Sequence, residues 1–263
     1  MNFGLSEKKA LVCAASKGLG RAVATSLAAE GVELFLCARG EEALEKTAVK
    51  IRETASQPIH SSSCDLITAD GRQKLIQAVQ EKLGGIDILI HNIGGPKAST
   101  VENTSLEDWQ AGFERNFISV MDLNNAFLPH MKAQQWGRIV AITSTSVVQP
   151  IPNLAVSNAM RAGLTATFKT LADEVAPSGV TVNTVAPGKI LTDRTEERLQ
   201  SEIKRLGKTR EELLKNWAEE IPMKRLGDPS EYGPTVAFLC SQQASYITGA
   251  TWCVDGGKRR APF

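Results

Sequence analysis

The chain has 263 residues, 42% hydrophobic and 22% charged, which supports a sizeable core under an ordinary polar surface. Its formal net charge of +1 offers no whole-chain attraction for nucleic acid or an anionic membrane, and no partner of either kind is expected. No run approaches the roughly 18 apolar residues of a membrane helix, and "MNFGLSEKKALVC" carries charges where a secretory signal would be apolar.

Along the chain, short β-like runs alternate with helix-like stretches. The predicted strands are "KALVCA" (9–14), "VELFLC" (32–37), "IHSSSC" (59–64), "IDILIH" (86–91), "RIVAIT" (138–143), "VTVNTV" (180–185) and "ATWCV" (250–254). Four are nearly continuous apolar runs, the pattern of parallel strands covered on both faces. Between them, "SLED" at 105–108 and "DPSE" at 228–231 read as capping boxes, the second with Pro229 at the first helical position. No linker or repeat interrupts the alternation. The expectation is one α/β domain over 1–263, a doubly wound seven-stranded parallel sheet with helices on both faces. Its ligand would sit at the carboxyl ends of the strands, where strand order reverses.

The segment 193–220 is different, highly charged with sparse apolar positions at Leu199, Ile203, Leu206, Leu213, Leu214 and Trp217. It follows the sixth strand and would cover the crevice, either as a mobile lid or as a solvated amphipathic helical pair. The terminal "KRRAPF" reads as a solvated basic tail. Cys13, Cys37, Cys64, Cys240 and Cys253 include no C-x-x-C pair, and most lie in or beside apolar strands. Free thiols of this kind point to a reducing, cytoplasmic compartment.

Chemistry is carried first by "CAASKGLGRAVA", residues 13–24, between a strand and a helix. Ser16, Lys17, Gly18, Leu19 and Gly20 would form a turn whose glycines let backbone approach a phosphate at the helix N-terminus. After the second strand the chain has Ala38 and Arg39, with no acid until Glu41. An acid there would meet a free ribose 2′-hydroxyl, whereas Arg39 with Lys17 suits a 2′-phosphate. NADP(H) is therefore expected over NAD(H). In "NLAVSNAMRAG", Ser157 and Arg161 share a helix face with Leu164, Phe168 and Val175, so both point toward the core.

Taken together, these motifs resemble the short-chain dehydrogenase/reductase family, nearest its 3-oxoacyl-carrier-protein reductases, along essentially the whole chain. The family's T-G-x3-G-x-G is similar to Cys13-Ala14-x3-Gly18-x-Gly20, its acid after the third strand to Asp65 and Leu66, and its N-N-A-G to "HNIG" with Asn92 and Gly94. Its helical Asn falls on Asn116 and its strand-end Ser on Ser144. Pro187, Gly188, Ile190 and Thr192 stand in its P-G-x3-T segment, and "VDGG" closes the chain at 254–257. The family's Y-x3-K is the exception: that spacing reaches Ser157 and Arg161, and only Tyr232 and Tyr246 exist in the chain.

The resemblance implies hydride transfer between a nicotinamide and a small carbonyl/alcohol pair, with the Tyr hydroxyl moving the proton, Ser144 steadying the substrate oxygen and Asn116 holding a water chain. It also implies a homo-oligomer, a tetramer or dimer packed through the helices of Asn116 and Arg161. A serine alcohol is a far weaker acid than a phenol, whose pKa is about 10. Ser157 therefore cannot replace the tyrosine as donor, whereas Arg161 keeps the charge, can still bind the cofactor by donating to the nicotinamide ribose, and can polarise a developing alkoxide. Two readings stay open: an NADP(H)-dependent reductase with an atypical proton donor, or a dinucleotide-binding sensor or subunit whose chemistry is impaired. A different reaction class on the same fold is a third. Lys97 and Lys189 could project toward substrate or stand as solvated lysines. No metal site is expected.

Overall fold

The computed structural model describes residues 3–261, so Met1, Asn2 and the last two residues of the basic tail, Pro262 and Phe263, fall outside it. Seven strands form one parallel sheet in the order β3-β2-β1-β4-β5-β6-β7. They are β1 (Lys9–Cys13), β2 (Glu33–Ala38), β3 (Ile59–Ser63), β4 (Ile88–Asn92), β5 (Gly137–Ile142), β6 (Val180–Pro187) and β7 (Thr251–Val254). Each expected strand is present, its ends displaced by a residue or two. Chain order reverses between β1 and β4, which opens a crevice at their carboxyl ends.

The strands are apolar on both faces because each supplies two cores. Ala10, Val12, Leu34, Leu36, Ile88 and Ile90 enter the core beneath α1 (Gly18–Ala29), α2 (Glu41–Arg52) and α9 (Pro229–Cys240). Their alternate neighbours Leu11, Cys13, Phe35, Cys37 and Leu89 enter the other core, against α3 (Ala69–Leu83), α5 (Ser119–Ala133) and α6 (Ala155–Val175). Alternation along extended chain divides each run between the two layers. Full burial of such side chains contributes about 1.5–3 kcal/mol each.

Helix ends follow their start signals unequally. Asp228 and Glu231 exchange backbone bonds as a complete capping box with Pro229 in the first turn. Ser105 accepts from the Asp108 amide at 3.1 Å without the reciprocal bond, because the aspartate is too short to reach back. The "SLED" capping box is thus only a simple N-cap. Its helix α4 (Leu106–Phe113) runs through a π-helical turn, Glu114–Ile118, into α5.

The segment 193–220 folds as α7 (Asp193–Leu206) and α8 (Arg210–Glu219). Leu199, Leu213 and Trp217 are buried with Ile221 and Leu226 in a small third core, while Leu206 is exposed. The pair is therefore a packed unit with its own apolar seam.

Candidate active site

A cleft of about 740 Å³ opens over the carboxyl ends of β1, β4, β5 and β6 and is partly covered by α7. Lys17, Gly18, Leu19, Asn92, Gly94, Ser144, Ser157, Arg161, Pro187, Gly188, Ile190 and Thr192 all line it. The sequence assigned each of these to catalysis or cofactor binding.

The glycine turn is built for close approach. Gly18 has φ +58°, and a Cβ there would lie 3.5 Å from Cβ of Thr192. A Cβ on Gly20 would strike the Ala14 carbonyl and lie 2.6 Å from Asn92 Nδ2, so only glycine lets α1 approach β4 this closely. Asn92 in turn donates to the Ala14 carbonyl at 3.2 Å. Ala14 has φ +46°, the left-handed region, where the family pattern has glycine. Across the cleft, Gly188 donates to the Val254 carbonyl at 2.9 Å, and a Cβ on it would lie 2.7 Å from Asp255. That clearance seats the Pro187–Gly188 turn against the last strand. Thr192 caps α7, its hydroxyl accepting from the Thr195 amide at 3.3 Å.

Five expected cofactor residues stand apart from the cleft wall. Gly20 is buried beneath the turn, and Ser16 offers its carbonyl to the Thr47 hydroxyl at 2.7 Å. Asp65 and Leu66 lie in the loop after β3. Asp65 caps that loop by accepting from the Ile67 amide at 3.1 Å. Buried Arg72 ties down the same loop, donating to the Leu66 and Ile67 carbonyls at 3.1 and 3.0 Å while pairing with Asp122 at 2.6 Å. Arg39 is exposed just after β2 and does not line the cleft.

Arg161 is woven into the cleft floor. Its Nη1 donates to the Ile142 and Thr143 carbonyls at 2.9 and 2.6 Å, its Nη2 to the Ile93 carbonyl at 3.3 Å, and its Nε to Ser157 Oγ at 3.3 Å. Burial, helped by the nearby Arg194 charge, lowers its pKa to about 10, so it stays protonated at neutral pH. Ser157 is buried to 8% exposure, directly on this cation. Ser144 accepts from the Ser146 amide at 3.1 Å.

The sequence left open whether a tyrosine enters the crevice from elsewhere, and neither does. Tyr232 is fully buried in the α1/α9 core and donates to the Val185 carbonyl at 3.1 Å; burial raises its pKa well above the ordinary phenol value. Tyr246 is fully exposed on the loop before β7. Asn116 also lies outside the cleft wall. It is buried in the π-helical turn, where its side-chain amide donates to the Gly112 carbonyl at 3.0 Å.

Sequence reasoning missed the basic contribution to the wall. Lys258, Arg259 and Arg260 of the terminal tail line the cleft, as do Arg194 and Arg198 of α7. Lys189 lines it too, 4.8 Å from the Trp217 ring and 3.1 Å from Glu220, whereas Lys97 does not. The signals were the charge of "KRRAPF" and the Asp255-Gly256-Gly257 turn before it, but where that turn sends the tail is fixed only by packing. From α7, Asp193 accepts from the Gly18 amide at 3.1 Å, and Glu197 pairs with Lys17 at 2.8 Å. The predicted cover thus rests directly on the glycine turn.

A family model described as enoyl-(acyl carrier protein) reductase matches residues 13–259. A 3-oxoacyl-[acyl-carrier-protein] reductase of Aquifex aeolicus is 34% identical over 98% of this chain and 99% of its own. The crystal structure of L-sorbose reductase from Gluconobacter frateurii, complexed with NADPH and L-sorbose, superposes with a TM-score of 0.95. It is 31% identical and covers 99% of this chain and 100% of its own. An NADPH-bound short-chain oxidoreductase of Pseudomonas aeruginosa PAO1, described as containing an atypical catalytic center, superposes at 0.88 with 30% identity. It covers 98% of this chain and 99% of its own. With the motifs, sheet order and crevice in agreement, the chain belongs to the short-chain dehydrogenase/reductase family, in the branch of the 3-oxoacyl-carrier-protein reductases.

Proposed function

We propose that this protein is an NADP(H)-dependent carbonyl reductase that works without a tyrosine proton donor. The observation that carries this reading is the pair of half-buried Arg161 and buried Ser157 at the carboxyl end of β5, in the wall of the cleft. The net reaction is carbonyl plus NADPH plus a proton giving alcohol plus NADP⁺. When bound, NADPH supplies the hydride; everything else falls to the chain.

Gly18, Thr192 and the amides opening α1 would hold the pyrophosphate, and Lys17 and Arg39 would meet the 2′-phosphate. Because Ser157 Oγ accepts from Arg161 Nε, its own hydroxyl hydrogen is free to donate into the cleft. Ser157 and Ser144 together orient the substrate oxygen, and the Arg161 charge stabilises the alkoxide as it forms. The proton then comes from water. General acid catalysis is worth about 10²–10⁴-fold, so turnover should be slow for the family. We place the protein in the cytoplasm, where its five thiols stay reduced, as a homotetramer packed through α4–α6; Phe113, exposed and stacked on Phe117 at 5.2 Å, supports that surface.

A second reading, a cofactor-binding sensor or subunit, draws on the same arginine, whose bonds to three main-chain carbonyls suit a purely structural strut. Fluorescence titration with NADPH and NADH, followed by a carbonyl panel read through nicotinamide absorbance, separates the two. Tight NADPH binding with slow turnover is the expected result. Tight binding with no turnover on any carbonyl favours the sensor, and no binding of either nucleotide defeats both.

A further inference from the structure

We infer that the compound reduced in this cleft is itself an anion, with an apolar body and a terminal carboxylate or phosphate gripped by Arg194, Arg259 and Arg260. The inference rests on the reductase reading and adds its substrate class.

The cleft wall carries eight cations, Lys17, Arg161, Lys189, Arg194, Arg198, Lys258, Arg259 and Arg260, against two acids, Glu202 and Glu220. Five of the eight are already engaged. Lys17 pairs with Glu197, Arg198 with Glu202 at 3.0 Å, and Lys189 and Lys258 share Glu220 at 3.1 and 2.7 Å. Arg161 is held by carbonyls. The remaining three, Arg194, Arg259 and Arg260, have no carboxylate partner among the described residues. Arg194 stands close enough to Arg161 to depress its pKa, and its guanidinium lies over the backbone of Gly95. Like charges crowded along one wall repel one another, and an anion bound between them relieves that repulsion. A guanidinium is also the side chain whose paired donors match a carboxylate or phosphate.

The dinucleotide does not account for Arg259 and Arg260. Its phosphates are met at the carboxyl ends of β1 and β2, by the glycine turn, Lys17 and Arg39. Arg259 and Arg260 follow β7, at the opposite edge of the sheet beyond β5 and β6. The same cleft is lined by the apolar Pro150, Ile151, Pro152 and Leu154, and by Trp217, whose ring lies 4.8 Å from Lys189 and 5.3 Å from Arg198. A cleft lined by both unpaired guanidiniums and apolar side chains fits a hydrocarbon chain ending in an oxoanion.

The test uses full-length protein saturated with NADP⁺, and reads binding by calorimetry and tryptophan fluorescence, since Trp217 lies in the cleft. The probes are 3-oxooctanoate, its methyl ester and 2-oxoheptyl phosphate. The expected result is at least one oxoanion binding about tenfold or more tighter than the ester, as a charge-assisted contact requires. A tenfold lead of one anion over the other identifies which headgroup the site prefers. The Arg259→Gln/Arg260→Gln double variant should bring the anion-to-ester ratio below about threefold. Ester binding as tight as both anions overturns the inference, as does a ratio unchanged in the variant. Binding is measured without turnover, so normal charge selectivity with no reduction counts against the proposed reaction alone. Absent selectivity with steady reduction of neutral ketones counts against the anionic substrate alone.

Discussion

Arg161 illustrates how one side chain can keep a charge and lose a reaction step. Its guanidinium bonds three main-chain carbonyls and Ser157, a geometry that fixes the cation beside the strand ends but leaves it no readiness to give up a proton near neutrality. Arg161→Ala removes the positive charge touching Ser157 and should lower kcat by about 10²-fold or more, while NADPH titration still shows binding. Unchanged turnover would remove Arg161 from the site. Ala14 is the second residue where local chemistry departs from the family pattern. At φ +46° its Cβ costs roughly 1–2 kcal/mol, only partly offset by the chain entropy that alanine saves. Ala14→Gly should therefore stabilise the protein by about 1 kcal/mol, a rise in Tm of roughly 2–4 °C by calorimetry. A fall in Tm would mean that the turn relaxes differently around glycine.

Among the elements, those that depend on local pattern were legible in the sequence and those that depend on distant partners were not. The strands follow from apolar runs such as "DILIH", and α9 from the Asp228, Pro229 and Glu231 start signal. The helical pair α7 and α8 followed from its spaced leucines. Its seat on the glycine turn did not, because that seat is made by Asp193 and Glu197 contacting residues about 175 positions earlier. Likewise, Tyr232 had to be placed by packing before it could be dismissed as a proton donor. The seat has a functional consequence. Asp193 takes the Gly18 amide and lies 3.7 Å from Arg21, so a bound pyrophosphate must displace a carboxylate that also repels it. Asp193→Asn should tighten NADPH binding about two- to fivefold, in line with an exposed charge contact, and leave adenosine binding as it was. Equal tightening for adenosine would show that the contact shapes the helix instead of competing with phosphate.

At the scale of the whole molecule, the core layer between the sheet and α5 and α6 contributes to how the protein responds to acid. His91 on β4 points into the layer under α5 and α6, with its Nε2 2.8 Å from Asn124 Oδ1 and its ring edge-on to Phe168 at 5.9 Å. It is 1% exposed, and its Nδ1 has no hydrogen-bond partner in the structure. Desolvation, only partly opposed by the Asn124 bond, lowers its pKa from 6.5 to about 4. The unfolded chain therefore binds a proton between about pH 6.5 and 4 that the folded chain refuses. This contribution is complete above pH 6.5 and is lost as pH falls through that window. At 1.36 kcal/mol per unit, the loss amounts to about 3 kcal/mol. Denaturant unfolding at pH 7 and at pH 4 should show that difference in the wild-type chain. His91→Asn, which puts the family's asparagine at this position, should remove most of the slope whatever it does to stability at pH 7. A slope that survives the substitution would assign the acid sensitivity to other groups and leave His91 as a packing residue only.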